Sequence, residues 1–269
     1  MFPRCKLRLG LVFCLAALIG LGGCASPAAD EPVGAITHHS DSPISADLCD
    51  MYNRADLVAV GQYQELEERW NMFRNPENPA EEAEDAYFEG HIYRFAVESV
   101  LKGVETDGEI RVNIPDKRTL RGEVPNLVVD ANGQVLQEAT GTDPYVFDSI
   151  WEFYMEPDPE ETVILFLSDN QAEDRYFPAI EPFTIALEAD GRLALRSNLL
   201  LPEAELREKL ETPFQTEGGK TLVYQIEAAP IQDSISGMTL PELLEMVEQP
   251  ENPSPDGEIS EPVQGSTPL

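Results

Sequence analysis

Few residues in this chain have types and spacing that could do chemistry. One is a thiol: Cys24 closes Leu21-Gly22-Gly23-Cys24, directly after the uncharged apolar stretch from Leu9 to Leu21. Three are imidazoles, His38, His39 and His91. The rest are carboxylates set among aromatics: Asp143, Asp148, Glu152, Glu156 and Asp158 alternate loosely with Tyr145, Phe147, Trp151, Phe153 and Tyr154. A thiol behind a basic, apolar leader can be acylated. An imidazole can serve as a base or a metal ligand. Acids beside aromatic rings can grip a sugar or hold calcium loosely.

Each possibility has a plainer competitor. Tyr145, Phe147, Asp148, Trp151, Glu152 and Tyr154 are the candidate binding residues; the competing reading is a surface insertion with an apolar underside. The spacing of a calcium-binding helix-loop-helix is absent. His38-His39 lies in an Ala-, Ser-, Pro- and Asp-rich stretch without ligands at matching spacing, and reads as spacer. His91 falls mid-strand and is expected to be a core or surface histidine. No Gly-x-Ser-x-Gly, His-Glu-x-x-His, phosphate-cradling loop or dinucleotide fingerprint occurs. No catalytic residue, metal site or cofactor is therefore expected.

Arg4, Lys6 and Arg8 precede the apolar stretch, which is shorter than the ~20 residues a membrane-crossing helix needs. Leu21-Gly22-Gly23-Cys24 resembles the lipobox of bacterial lipoproteins. That resemblance implies cleavage before Cys24, acylation of its thiol, and an extracytoplasmic protein held to the membrane by lipid. Each buried methylene adds ~0.8 kcal/mol, and two or more chains anchor stably. The alternatives are an uncleaved span and a secretory signal cut near Ala28-Ala29. Ala25 after Cys24 resembles an outer-membrane address in a two-membrane bacterium. Cys5 and Cys14 leave with the leader. If Cys24 is acylated, Cys49 has no partner, so neither a disulfide framework nor a thiol metal cluster is possible. Cys49 reads as a packed residue on a short helix.

The formal net charge is −32, and the leader carries three of the few positive charges. Nucleic acid and anionic headgroups are disfavoured as partners, because both need a basic surface. The lipid must anchor alone. With 42% hydrophobic residues the chain can still build a core. The expected organisation is a signal over 1–23, a flexible tether over 24–45, a domain over 46–248 and a disordered acidic tail over 249–269.

Within the domain, the spacing predicts a short helix from Ser45, its N-cap, to Arg54, then a strand from Ala55 to Tyr63. The acidic stretch 65–89 reads as a loop. Tyr87 to Leu101 alternates, with His91, Tyr93, Phe95 and Val97 on one face. Glu109 to Ile114 is a strand stopped by Pro115. Asn132-Gly133 and Asp190-Gly191 mark hairpins. Val163 to Leu167 is a strand buried on both sides. A helix from Pro202 to Leu210 and a last strand, Leu222 to Ile226, precede a capping box, Thr239-Leu240-Pro241-Glu242, that opens a helix to about Glu248.

Ala55 to Gly61, Tyr93 to Gly103, Ile110-Arg111-Val112 and Val163 to Leu167 together resemble the core of exported proteins with a barrel akin to tissue inhibitors of metalloproteinases and netrin-like modules. The resemblance spans roughly residues 47–200. It implies a mainly β, OB-like antiparallel barrel, here with a long insertion hairpin between Pro115 and Thr162 and two or three short helices. The inhibitors' disulfides and free cysteine terminus are missing, so inhibition does not carry over. The function expected is a non-enzymatic binding module of the envelope with a protein or envelope ligand, contacted through 116–160. The alternatives are an envelope hydrolase acting on wall polymers and a passive spacer. A cleft where acids converge on His91 favours the enzyme, an exposed aromatic patch favours binding, and a featureless acidic surface favours the spacer.

Overall fold

Alternation and apolar runs become the following elements: β1 (Ala35–His39), α1 (Leu48–Arg54), β2 (Leu57–Asn71), β3 (Tyr87–Lys102), β4 (Glu109–Pro125), β5 (Val128–Val129), β6 (Val135–Gln137), β7 (Thr142–Ile150), β8 (Thr162–Asn170), β9 (Arg175–Pro178), β10 (Thr184–Leu187), β11 (Leu193–Arg196), α2 (Glu203–Leu210), β12 (Glu211–Gln215), β13 (Thr221–Glu227) and α3 (Leu240–Glu248). They come from a computed structural model that describes residues 32–248, apart from 33, 40–41, 105–107, 127, 130–134, 138–140, 171–173 and 229. Leu21, Gly22, Gly23, Cys24, the tail from Gln249 and the Asn132-Gly133 turn lie outside the described residues.

The fold is mainly β. Eight strands form one sheet in the order β11-β10-β8-β2-β3-β4-β7, and β9 pairs with both β4 and β8. The contacts β8-β2-β3-β4-β9-β8 therefore run round a ring of five strands, partly closed because β9 meets β4 only at Val112↔Tyr176. This is the partly open barrel of the OB type. Val163–Leu167 sits in β8 between β10 and β2, and all five residues are buried. Phe95, Phe166 and Leu165 belong to the main hydrophobic core, and Met51 of α1 and Leu243 of α3 close onto it. Cys49 of α1 is half-buried, its Sγ 4.0 Å from the Met246 carbonyl of α3. The Asp190-Gly191 hairpin joins β10 to β11, with Gly191 at φ 82°. The capping box forms: Glu242 accepts from both the backbone N–H and the hydroxyl of Thr239.

Several expectations are corrected. The acidic stretch after Tyr63 is strand as far as Asn71. Its acids sit on the solvent face and find cross-strand partners: Arg94 bonds Glu65, and Arg111 bonds Glu67 and Glu68 at 2.9 and 3.1 Å. Charge there marks an exposed strand face. Pro115 does not stop β4, which continues to Pro125. It stands beside a bulge, where a missing N–H costs the ladder least. The α1 N-cap is Asp47, which accepts from Asp50 N at 2.8 Å, whereas the Ser45 hydroxyl accepts from Asp47 N. Residues 35–39, assigned to the tether, form β1 and pair in parallel with β13. With β12 they make a separate three-stranded sheet. This sheet packs its Phe214, Leu222, Tyr224 and Ile226 into a second hydrophobic cluster with Phe153, Leu199, Leu206 and Leu210.

Gly61 marks the tightest approach in the barrel wall. It follows a register shift between β2 and β3, and a Cβ there would lie 2.0 Å from the Ala96 carbonyl oxygen. Backbone cannot yield as a side chain can. Gly61→Ala is expected to destabilise the protein by about 3 kcal/mol, the upper range for overpacking. Urea unfolding checks this: an unchanged midpoint would mean that the wall is looser at this bulge than the geometry requires.

Candidate functional site

The six residues singled out from sequence do not form one exposed platform. Tyr145 and Phe147 of β7 turn onto the small sheet, with ring centroids 5.1 and 4.1 Å from Phe214. Trp151 packs between Phe88 and Phe153. Asp148 is exposed and accepts a 2.7 Å hydrogen bond from Thr119. Glu152 is buried 3.6 Å from the Arg118 guanidinium. That guanidinium lies against the Trp151 and Tyr224 rings and donates to the Tyr224 hydroxyl at 2.7 Å. Tyr154 alone reaches a chemically interesting neighbour, His91.

His91 is the centre of a cluster that sequence reasoning passed over. Glu89, His91 and Tyr93 share one face of β3 by the two-residue period of a strand. On β4 the ladder pairs Glu89 with Lys117 and Gly90 with Pro115, leaving Asp116 as the extra residue of a bulge. The bulge turns Asp116 toward the same face. His91 Nε2 consequently lies 2.9 Å from Glu89 Oε1 and 3.2 Å from Asp116 Oδ2. Arg69 brings its Nε to 3.3 Å from the same nitrogen. On the other side, His91 Nδ1 faces the Tyr154 hydroxyl at 3.4 Å, and that hydroxyl meets Tyr93 at 3.3 Å. Burial works against ionisation of Glu89. The hydrogen bonds from Tyr87 and His91 and the charge of Lys117 outweigh it, and its carboxyl is held below the ordinary value. Burial, then the neighbouring Tyr93, pushes the Tyr154 phenol up.

The second feature is a cavity of about 310 Å³ under the segment 153–158. Its walls are Tyr63 of β2, Ile114 of β4, Val163 of β8 and Phe183, roofed by Phe153, Met155 and Pro157. Glu156, Asp158 and the Glu161–Arg196 ion pair also line it. Two polar side chains face this apolar space from its buried side. Tyr63 is 3% exposed, and its hydroxyl makes no hydrogen bond of ordinary geometry, the Thr184 side chain of the same wall acting on it only weakly. Glu181 is 7% exposed, and its carboxyl is held well above the ordinary carboxylate value, by burial first and by Glu152 second. Burial thus favours its neutral, hydrogen-bond-donating form. The acidic aromatic segment thus does contribute to a pocket, through Phe153, Glu156 and Asp158.

The signals for these groups were faint. Glu89-Gly90-His91 is legible as two polar residues on one strand face, but Asp116 was hidden behind a proline that read as a strand stop. Glu181 stands alone in Ile180-Glu181-Pro182-Phe183, where nothing local announces burial. No protein-family model, curated protein or solved structure matches the chain.

The Arg118–Glu152 pair gives the first test of what the candidate residues do. Arg118→Met strands a buried carboxylate and is expected to cost about 3–5 kcal/mol, whereas adding Glu152→Leu should recover most of that loss. Urea unfolding of both variants decides. Equal losses would show that the arginine matters for its packing and that the charge pair does not.

Proposed function

We propose that this protein is a lipid-anchored, extracytoplasmic binding module of the cell envelope, and that the cavity beneath 153–158 is its ligand site. The observation that carries the binding half is Tyr63, a buried hydroxyl in the cavity wall left without a hydrogen bond of ordinary geometry, beside the buried carboxyl of Glu181 in the same wall. Buried polar groups are ordinarily satisfied, and an orphan in a cavity wall calls for a partner from outside. The ligand class follows from the lining. It is a small, mostly apolar molecule with one oxygen that accepts from the Tyr63 hydroxyl and the Glu181 carboxyl. A cavity of this volume takes a compact molecule and not a polymer strand. The anchoring half rests on the leader and on Cys24.

One observation favours a second reading, the envelope hydrolase. Acids do converge on His91. Yet the imidazole is 6% exposed, and none of Glu89, His91 or Asp116 lines the cavity. The one hydroxyl on its ring nitrogens among the described residues belongs to Tyr154. The cluster is arranged to be held in place, and the cavity is arranged to be filled.

Binding is tested with a neutral solvatochromic ketone, 6-propionyl-2-dimethylaminonaphthalene, followed by its blue-shifted emission. Saturable 1:1 binding is expected. Tyr63→Phe should weaken it by roughly fivefold, the worth of one hydrogen bond, and Met155→Trp should exclude the probe by filling the roof. Binding that ignores both variants, or none at all, overturns the cavity as a ligand site. Separately, Cys24→Ser should release the protein from the membrane fraction. An intact mass for the wild-type membrane form without acyl additions would sink the anchor while leaving the cavity reading untouched.

A further inference from the structure

We propose that Glu89, His91 and Asp116 form a binding site for one first-row divalent cation of the zinc or manganese type, with Glu89 Oε1, His91 Nε2 and Asp116 Oδ2 as its ligands. This reverses the expectation of no metal site and is independent of the cavity.

The geometry fits. The three ligand atoms lie within 4.8 Å of one another, and the imidazole nitrogen is 2.9 and 3.2 Å from the two carboxylate oxygens. Ligands about 2.1 Å from a tetrahedral ion stand roughly 3.4 Å apart, so small adjustments suffice.

Three groups compete for the single position at His91 Nε2, although Arg69 Nε also lies 3.6 Å from Glu89 Oε1. Two carboxylate oxygens at Nε2 require it to donate, whereas the Arg69 Nε–H at 3.3 Å requires it to accept. One ring nitrogen cannot do both. A cation at the meeting point uses a lone pair from each of the three atoms and removes the conflict. Arg69 can leave, because its side chain is 63% exposed, against 7% for His91 and 8% for Glu89.

The outer contacts are those a metal site needs. His91 Nδ1 is turned to the Tyr154 hydroxyl, which leaves Nε2 facing inward. Glu89 Oε2 accepts from the Tyr87 hydroxyl at 2.7 Å and lies 3.4 Å from Lys117 Nζ, which leaves Oε1 facing inward. Asp116, 17% exposed, sits on the solvent side, the natural path for entry. One imidazole with two carboxylates suits zinc or manganese. Magnesium and calcium prefer oxygen alone, and copper(I) prefers sulfur. Arg69 and Lys117 oppose a cation by charge, so affinity is limited and Arg69 acts as a built-in competitor.

The experiment titrates untagged, chelator-treated full-length protein with Zn²⁺ and with Mn²⁺ by calorimetry, in millimolar Ca²⁺ that saturates loose sites on the acidic surface. One saturable site is expected for at least one of the two ions. Asp116→Asn, nearly isosteric, and His91→Ala should each weaken binding by about tenfold or more. Arg69→Gln should tighten it by about tenfold, a change no purely structural role predicts; tenfold is 1.4 kcal/mol. A His38→Ala/His39→Ala variant should bind as the wild type does. X-ray absorption should show nitrogen and oxygen at about 2.0–2.2 Å and no sulfur. Absence of saturable binding in both the wild type and Arg69→Gln overturns the proposal, as does binding that survives both ligand substitutions in variants with native near-UV circular dichroism.

Discussion

Glu89 pairs with Lys117 and Gly90 with Pro115, so Asp116 has no partner in the β3–β4 ladder. That single extra residue separates two halves of β4 with different duties. Before it, Ile110, Val112 and Ile114 face the barrel core, and Val112 closes the ring against Tyr176 of β9. After it, Lys117 to Pro125 pair with β7, and Leu120 and Val124 turn to the second hydrophobic cluster. A bulge bends and twists its strand, which lets one strand serve two cores. It also delivers a third ionisable group beside Glu89 and His91. Barrel closure, second core and cluster share this constraint.

The interior beyond the bulge holds charged groups. Arg118 and Glu152 are buried together, and Glu181 lies near enough to Glu152 to feel its charge. Two carboxyls and one guanidinium cannot all be neutralised by ion pairing. The labour is divided: Glu152 lies beside Arg118, and burial pushes Glu181 toward its neutral form. A carboxyl whose neutral form is favoured by burial can donate a hydrogen bond from an apolar wall.

Much of the barrel was legible from sequence because its signals are local and redundant. Tyr87 to Leu101 alternates, Val163 to Leu167 is continuous, and Asp-Gly ends its hairpin where a left-handed residue is needed. The failures have physical causes. Glu65, Glu67 and Glu68 read as loop because their partners, Arg94 and Arg111, are far along the chain. Pro115 read as a stop because a bulge cannot be seen in one strand alone. β1 went unread because its five residues gain stability only by pairing with β13, some 190 positions away. The site suffered most. Glu89 and His91 are two apart, but Asp116, Tyr154 and Arg69 come from other elements, and no local spacing brings them together.

The segment from Trp151 to Asp158 shows how one local signal can stand for several roles at once. Its mixture of acids and aromatics did mark an unusual element, but the side chains do not act as one surface. Trp151 and Phe153 turn to the second core, Glu152 to Arg118, Tyr154 to His91, and Met155 to Asp158 to the cavity. Asn198 fixes the backbone between them, donating at 3.1 Å to the carbonyls of both Glu152 and Tyr154. The segment turns at Glu152-Phe153, where Tyr154 N donates to the Trp151 carbonyl at 3.0 Å, and as a strap it fans its side chains toward four neighbours, each asking for a different chemistry. Alternating acid and aromatic character is the signature of that arrangement as much as of a sugar platform. The strap also joins the two candidate sites physically. Tyr154 touches the His91 cluster through its hydroxyl, the next residue roofs the cavity, and Tyr93, which meets Tyr154, lies edge-on to Tyr63 at 5.7 Å. One side chain and one backbone segment thus separate His91 from the cavity roof.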